Sequence, residues 1–252
     1  MTDKKETALT SRRNFLKKAL EGATAATAAA SVPVPALATA VTKPKKQYAM
    51  VIDTRRCIGC HACSVACKSE FDVPLGVYRS WVEYTDKGDY PSVQRTFLPR
   101  LCNHCSEPPC VYVCPTGATW KREDNGVVVI DKDICIGCKY CIQACPYDMR
   151  FYNPVTGTAD KCDFCEHRTS RGLEPSCVNT CQGRARIFGD ITDPESEVSR
   201  LLAKHSVTVL REGMGTHPNV YYIEADHTDE SEKEYRDTYI RVTTHRKIKE
   251  RR

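Results

Sequence analysis

Sixteen cysteines in a chain of 252 residues dominate the chemistry this sequence can do. They fall into four groups of four. The first is Cys57, Cys60, Cys63 and Cys67, and the second Cys102, Cys105, Cys110 and Cys114. The third is Cys135, Cys138, Cys141 and Cys145, and the fourth Cys162, Cys165, Cys177 and Cys181. Four thiolates are the ligand complement of a soft, thiophilic centre, whether an iron–sulfur cube or a structural zinc ion.

Spacing favours iron–sulfur. Groups one and three read C-x2-C-x2-C-x3-C, the run that holds [4Fe-4S] cubes in bacterial ferredoxins, and group three adds Pro146. Three cysteines so close together lie on one tight loop around three corners of a cube, with backbone N–H groups free to point at sulfur. Gly59 and Gly137 stand inside these loops, where backbone angles that other residues resist are useful. Zinc sites use separated C-x2-C pairs, which suits groups two and four taken alone but not groups one and three. Rieske ligation needs histidine in place of cysteine. His61, His104 and His167 are present, but cysteine already fills all sixteen places.

The elements that must position these loops are short. Residues 47–53 and 126–130 read as strands leading into a cluster loop, and short helices are expected to begin at the fourth cysteine of each group. Residues 196–204 carry Val198, Leu201 and Leu202 at helical spacing, while 207–210 and 219–224 read as strands. The fold class is therefore α+β, built from ferredoxin-like units. The chain also repeats. Val51-Ile52-Asp53 precedes Cys57 by the same offset as Val129-Ile130-Asp131 precedes Cys135. Glu107-Pro108-Pro109-Cys110-Val111 likewise matches Glu174-Pro175-Ser176-Cys177-Val178. The order A-B-A-B points to duplication of a two-cluster unit.

Composition is otherwise that of a folded globular protein: 41% hydrophobic, 27% charged, net charge +5. So modest and dispersed a charge argues against a nucleic-acid partner. At the N-terminus, Ser11-Arg12-Arg13-Asn14-Phe15-Leu16-Lys17, an Ala-rich stretch and an A-x-A site at 36–40 read as a twin-arginine export signal over 1–40. That route exports folded proteins, as a chain carrying clusters assembled in a reducing cytosol requires. The rival readings are an amphipathic helix or an uncleaved anchor, against which Pro33 and Pro35 interrupt the stretch. No later apolar run reaches membrane-spanning length. Residues 226–252 mix acids and bases and read as a solvated tail, or as an arm that wraps a partner subunit.

Leu98-Pro99-Arg100-Leu101-Cys102-Asn103-His104-Cys105, Ala159-Asp160-Lys161-Cys162-Asp163-Phe164-Cys165 and Ala185-Arg186-Ile187-Phe188-Gly189-Asp190 are family markers. With the four cysteine groups, they make residues 48–226 resemble the four-cluster ferredoxin-like beta subunits of respiratory molybdopterin oxidoreductases. The resemblance is strongest to the tetrathionate reductase type, with polysulfide, thiosulfate and nitrite-linked relatives close behind. It implies a nested pairing of groups that spacing alone does not give. Cys57, Cys60, Cys63 and Cys181 would hold one cluster, and Cys67, Cys162, Cys165 and Cys177 the second. Cys102, Cys105, Cys110 and Cys145 would hold the third, and Cys114, Cys135, Cys138 and Cys141 the fourth. The implied domain, 41–225, then comprises module one (47–96 with 153–195) around an inserted module two (97–152).

What the resemblance implies is an electron-transfer subunit that is not an enzyme on its own. It would carry four [4Fe-4S] clusters between a membrane quinol-oxidising subunit and a molybdopterin catalytic subunit, at the periplasmic side of the inner membrane. No catalytic constellation is visible, and the three histidines named above read as surface or hydrogen-bonding residues. Lys139, Lys161, Arg100, Arg168, Arg184 and Arg186 flank ligands. Such charges either raise cluster potentials or solubilise the surface, and for any single residue the second reading is the simpler. Tyr140, Tyr147, Phe164 and Trp120 are placed either to shield clusters or to pack the core.

Overall fold

A computed structural model describes residues 46–225; the expected export signal over 1–40 and the expected tail over 226–252 lie outside the described residues. The described chain opens with β1 (Tyr48–Asp53), α1 (Ala62–Phe71), β2 (Ser80–Lys87), β3 (Gln94–Leu101) and α2 (Pro109–Tyr112). It continues with β4 (Thr119–Lys121), β5 (Val128–Ile130), α3 (Tyr140–Gln143), β6 (Arg150–Asn153) and β7 (Thr158–Lys161). Then follow α4 (Glu166–Thr169), α5 (Ser176–Asn179), β8 (Arg186–Asp190), α6 (Glu197–Lys204), β9 (Val207–Thr208) and β10 (Val220–Ile223). The architecture is α+β, with short helices and small sheets.

β1 is buried from Ala49 to Asp53, so it has no solvent face. Such a strand needs cover on both sides. It pairs parallel with β10 and antiparallel with β8, and β9 completes a sheet of order β8-β1-β10-β9. Strand alternation sends Met50, Ile52, Val220 and Tyr222 into the main core with Leu101, Tyr147 and Phe164. Ala49, Val51, Ile187 and Ile223 face the other way, onto Val198 of α6. α6 starts where the sequence signals it: Ser196 is its N-cap and accepts the Ser199 N–H through its hydroxyl. Three antiparallel hairpins, β2–β3, β4–β5 and β6–β7, carry the intervening chain from one cysteine group to the next.

The strands fall close to their expected positions. The helices need a correction: they do not begin at the fourth cysteines. α1 contains both Cys63 and Cys67, while α2, α3 and α5 contain the third cysteines Cys110, Cys141 and Cys177 and stop before the fourth. A spacing of four residues between third and fourth cysteine is one helical turn, so the turn lies between them rather than after them.

The duplication is visible in backbone and side chains alike. Gly59 and Gly137 share φ = 67°, and the residues two before the third cysteines, His61 and Lys139, are both left-handed. In groups two and four the residues just before the second cysteines, His104 and Phe164, stand where groups one and three have Gly59 and Gly137 and are also left-handed, and their rings stack on each other at 3.8 Å.

Candidate iron–sulfur centres

Members of three of the four expected sets come together from separate loops, and of the fourth only Cys135 and Cys141 are seen packed in one cluster. Cys57, Cys60, Cys63 and Cys181 line one cavity with about 360 Å³ of atom-free space. Cys102, Cys105, Cys110 and Cys145 line another of about 330 Å³, walled by Tyr147, Met149 and Arg150. Cys67, Cys162, Cys165 and Cys177 are all buried, and the packing of α1 on α5 brings Cys67 to Cys177. In the remaining set, Cys141 is buried against Cys110 and Val128 with Cys135 beside it, whereas Cys114 is half-buried and Cys138 exposed. Among the described residues no three His, Cys, Asp or Glu side chains converge tightly enough to grip a single ion. The cysteines of the first and third sets instead line the walls of cavities.

The surroundings suit thiolate sulfur. The Ala185 N–H donates to Cys181 Sγ at 3.2 Å, and the Ser176 and Phe164 N–H groups donate to Cys165 and Cys162 at 3.4 Å. Burial pushes the thiols of Cys67, Cys105 and Cys165 up to about 12 and that of Cys145 up to about 11. Bare thiolates are costly at such depth, so these cysteines ionise together with a compensating positive centre. Cys114 shifts down instead: its burial is outweighed by N–H groups of Thr119, Thr116 and Ala118 and by the Thr116 hydroxyl.

Neighbouring sets lie within electrostatic reach of one another. Cys63 of the first lies within electrostatic reach of Cys177 of the second, and Cys102 of the third within reach of Cys162. Arg150 donates to Cys110 of the third and lies beside Cys141 of the fourth. The neighbours thus run from the first expected set through the second and third to the fourth, and the exposed Cys60 and Cys138 belong to the first and the fourth.

Several flanking charges are not surface charges. Arg100, Lys161 and Arg186 are buried, a correction to the simpler sequence reading. Arg100 binds Glu83 at 2.7 Å and the Tyr147 carbonyl at 3.1 Å. Lys161 donates to the Val128 and Cys162 carbonyls. Arg79 and Arg150 are buried cations that sequence reasoning does not single out. Arg150 has a signal: it follows Cys145 by the same five residues that separate Arg186 from Cys181. Arg79 has none.

His104 is fully buried and neutral, its Nδ1 accepting the Val128 N–H at 3.1 Å; burial lowers its pKa first, and Lys161, Arg150 and Lys121 add to that. His167 bonds Glu70 at 2.7 Å. Tyr147 and Phe164 are core residues, whereas Tyr140 and Trp120 are exposed.

The pattern described as a 4Fe-4S dicluster domain matches residues 93–191. The B subunit of a tetrathionate reductase from Salmonella typhimurium is 51% identical over 187 residues, 73% of this chain and 74% of the relative. The chain belongs to the iron–sulfur B-subunit family of multi-subunit reductases. The B subunit of a selenate reductase from Mesobacillus selenatarsenatis is 44% identical over 211 residues, covering 70% of this chain and 72% of the relative. A protein NrfC homolog of Haemophilus influenzae is 42% identical over 219 residues, covering 86% and 96%. Members of this family carry iron–sulfur centres for electron transfer. In this one, no described helix is long and apolar enough to cross a membrane.

The cluster loops of this iron–sulfur protein leave no slack. A Cβ on Gly137 would collide with the Gly157 carbonyl oxygen, on a backbone already at φ = 67°. Gly137→Ala is expected to cost at least about 1 kcal/mol in backbone strain alone. Iron bound per chain after gel filtration checks it: the variant should retain less than wild type.

Proposed function

We propose that this chain relays single electrons between a membrane quinol-oxidising subunit and the molybdopterin catalytic subunit of a tetrathionate reductase, through four [4Fe-4S] clusters. The observation that supports the reading is the succession of neighbouring cysteines from Cys63 to Cys177, from Cys162 to Cys102 and, through Arg150, from Cys110 to Cys141, with Cys60 and Cys138 exposed in the expected end sets. The ligands would be the four sets already described, in two modules spanning 47–96 with 153–195 and 97–152. When bound, a [4Fe-4S] cluster takes up and gives back one electron with little change in geometry.

The residues of the chain supply the rest. Thiols from different groups close each set, backbone N–H groups offer hydrogen bonds to sulfur, and the inner sets are kept from water by Tyr147, Phe164 and Tyr222. Exposed Ile58 beside Cys57 and exposed Ile136 and Tyr140 beside Cys138 offer apolar contact at the two ends, where partner subunits would dock. The twin-arginine segment supports export in the folded state to the periplasm, with attachment to the inner membrane through a partner.

Tetrathionate is favoured by the 51% identity to the Salmonella protein. A nitrite-linked role is the second reading, favoured by a match that covers 96% of the NrfC homolog. Anaerobic purification of the tagged chain from its own cells, with partner identification and reduced-viologen oxidation by tetrathionate, thiosulfate, polysulfide and nitrite, separates them. A molybdenum-containing partner and tetrathionate turnover are expected. A partner active only with another acceptor would overturn the choice of tetrathionate. Purification without a redox partner would overturn the relay.

A further inference from the structure

Three of the buried cations have no carboxylate partner among the described residues; Lys161 is taken up by the Val128 and Cys162 carbonyls, which leaves Arg150 and Arg186. Arg79 faces Asp160 and Asp163, and Arg100 faces Glu83. Arg150 and Arg186, only 4% and 2% exposed, have no carboxylate within ion-pair distance among the described residues. A buried cation without a counter-charge is costly, so the groups left to balance these two are the cysteine sulfurs around them and whatever those sulfurs hold.

Each guanidinium stands between two cysteine sets. Arg150 lines the Cys102 cavity, donates from Nη2 to Cys110 Sγ at 3.0 Å, and lies beside Cys141 of the next set. Arg186 lines the Cys57 cavity and lies beside Cys177 of the next set and near Cys63. Its Nη1 is buried without a protein partner. The two are also built alike. Each follows a fourth cysteine by five residues and opens a strand, β6 or β8. Each is anchored by a hydroxyl that opens another strand: Arg150 Nη1 by Thr119 Oγ1 at 3.2 Å, and Arg186 Nη2 by Ser80 Oγ at 2.9 Å.

We propose that Arg150 and Arg186 are a duplicated pair of potential-setting residues, each raising the reduction potentials of the two clusters between which it stands. The proposal rests on the four-cluster reading. Reduction adds one negative charge to a cluster, and a fixed, desolvated cation beside it favours that form. Because arginine keeps its charge throughout, the effect persists across the working pH range. One residue serving two clusters keeps their potentials moving together, which suits successive members of a relay.

The test uses the full chain in its native complex, with iron and acid-labile sulfide measured before an EPR-monitored redox titration. Arg186→Gln is expected to lower the potentials of two cluster signals by about 59 mV each, a tenfold change in their reduced-to-oxidised ratio for one electron. The other two signals should stay in place. Arg150→Gln should move the complementary two, and the charge-keeping Arg186→Lys and Arg150→Lys should bring the signals most of the way back. Full iron with no signal moved, or with a single signal moved, overturns the proposal. Should a Gln variant lose iron, Ser80→Ala and Thr119→Ala decide. Each frees its guanidinium without removing charge and should move the same two signals by a smaller amount; unmoved signals overturn the proposal. Iron-free wild-type complex would instead overturn the four-cluster reading beneath it.

Discussion

Cys57→Ser and Cys181→Ser are expected to abolish the same cluster, although they belong to the first and last cysteine groups. Both line one cavity, so either loss opens one ligand position of one set. Serine oxygen is a hard ligand and replaces thiolate poorly on a soft iron–sulfur centre. Each variant should therefore lose about four iron atoms per chain, or one cluster. The same EPR signal should vanish in both. Cys162→Ser should remove a different signal, because Cys162 neighbours Cys67 and Cys177. Sequential pairing predicts the opposite grouping: Cys57 and Cys67 would then fall in one set, and Cys181 with Cys162. EPR of the three dithionite-reduced variants, beside their iron content, checks this.

Arg79→Met is expected to cost about 3–5 kcal/mol, the loss seen when one partner leaves a buried ion pair. Arg79 is 5% exposed, donates to Asp160 at 2.6 Å, reaches Asp163 at 3.4 Å, and lies over the Phe71 ring at 3.8 Å. It ties α1, which carries Cys67, to the loop that carries Cys162 and Cys165. Lys132, 3.4 Å from Asp160, is half-exposed and recovers only part of the lost interaction. The double variant Arg79→Met/Asp160→Leu should regain part of the stability, because the buried Asp160 carboxylate is no longer orphaned, while Asp163 and Lys132 each lose one partner. Urea unfolding followed by loss of the visible cluster absorbance reads both variants. A loss under about 1 kcal/mol for Arg79→Met, in the range of a surface pair, would contradict the account.

The sequence exposes whatever depends on local spacing. The cysteine runs, the left-handed glycines at 59 and 137, the strand into Cys57 and the capped helix after Ser196 all rest on residues a few positions apart. The β2–β3 hairpin is hard to read because its strands alternate weakly: Arg95, Thr96, Arg100 and Pro99 sit in β3, whose inner end is buried only by the surrounding groups. The helices start one turn earlier than the sequence suggests, because a four-residue spacing fixes a turn's presence but not which cysteine begins it. The buried arginines are hidden for a different reason. Burial of Arg186 or Arg79 is a property of the assembled core, and nothing within a few residues of either announces it. Only the repeat carries information, through the common offset of Arg150 and Arg186 from their preceding cysteines.

Iron and acid-labile sulfide per chain, determined on the anaerobically purified native complex together with a stepwise reductive titration, tests the central claim most directly. Four [4Fe-4S] clusters predict about sixteen of each atom for this chain, once the partner subunits' share is subtracted, and four one-electron steps. Zinc in the cysteine sets without sulfide, or only about eight iron atoms with two steps, would contradict it.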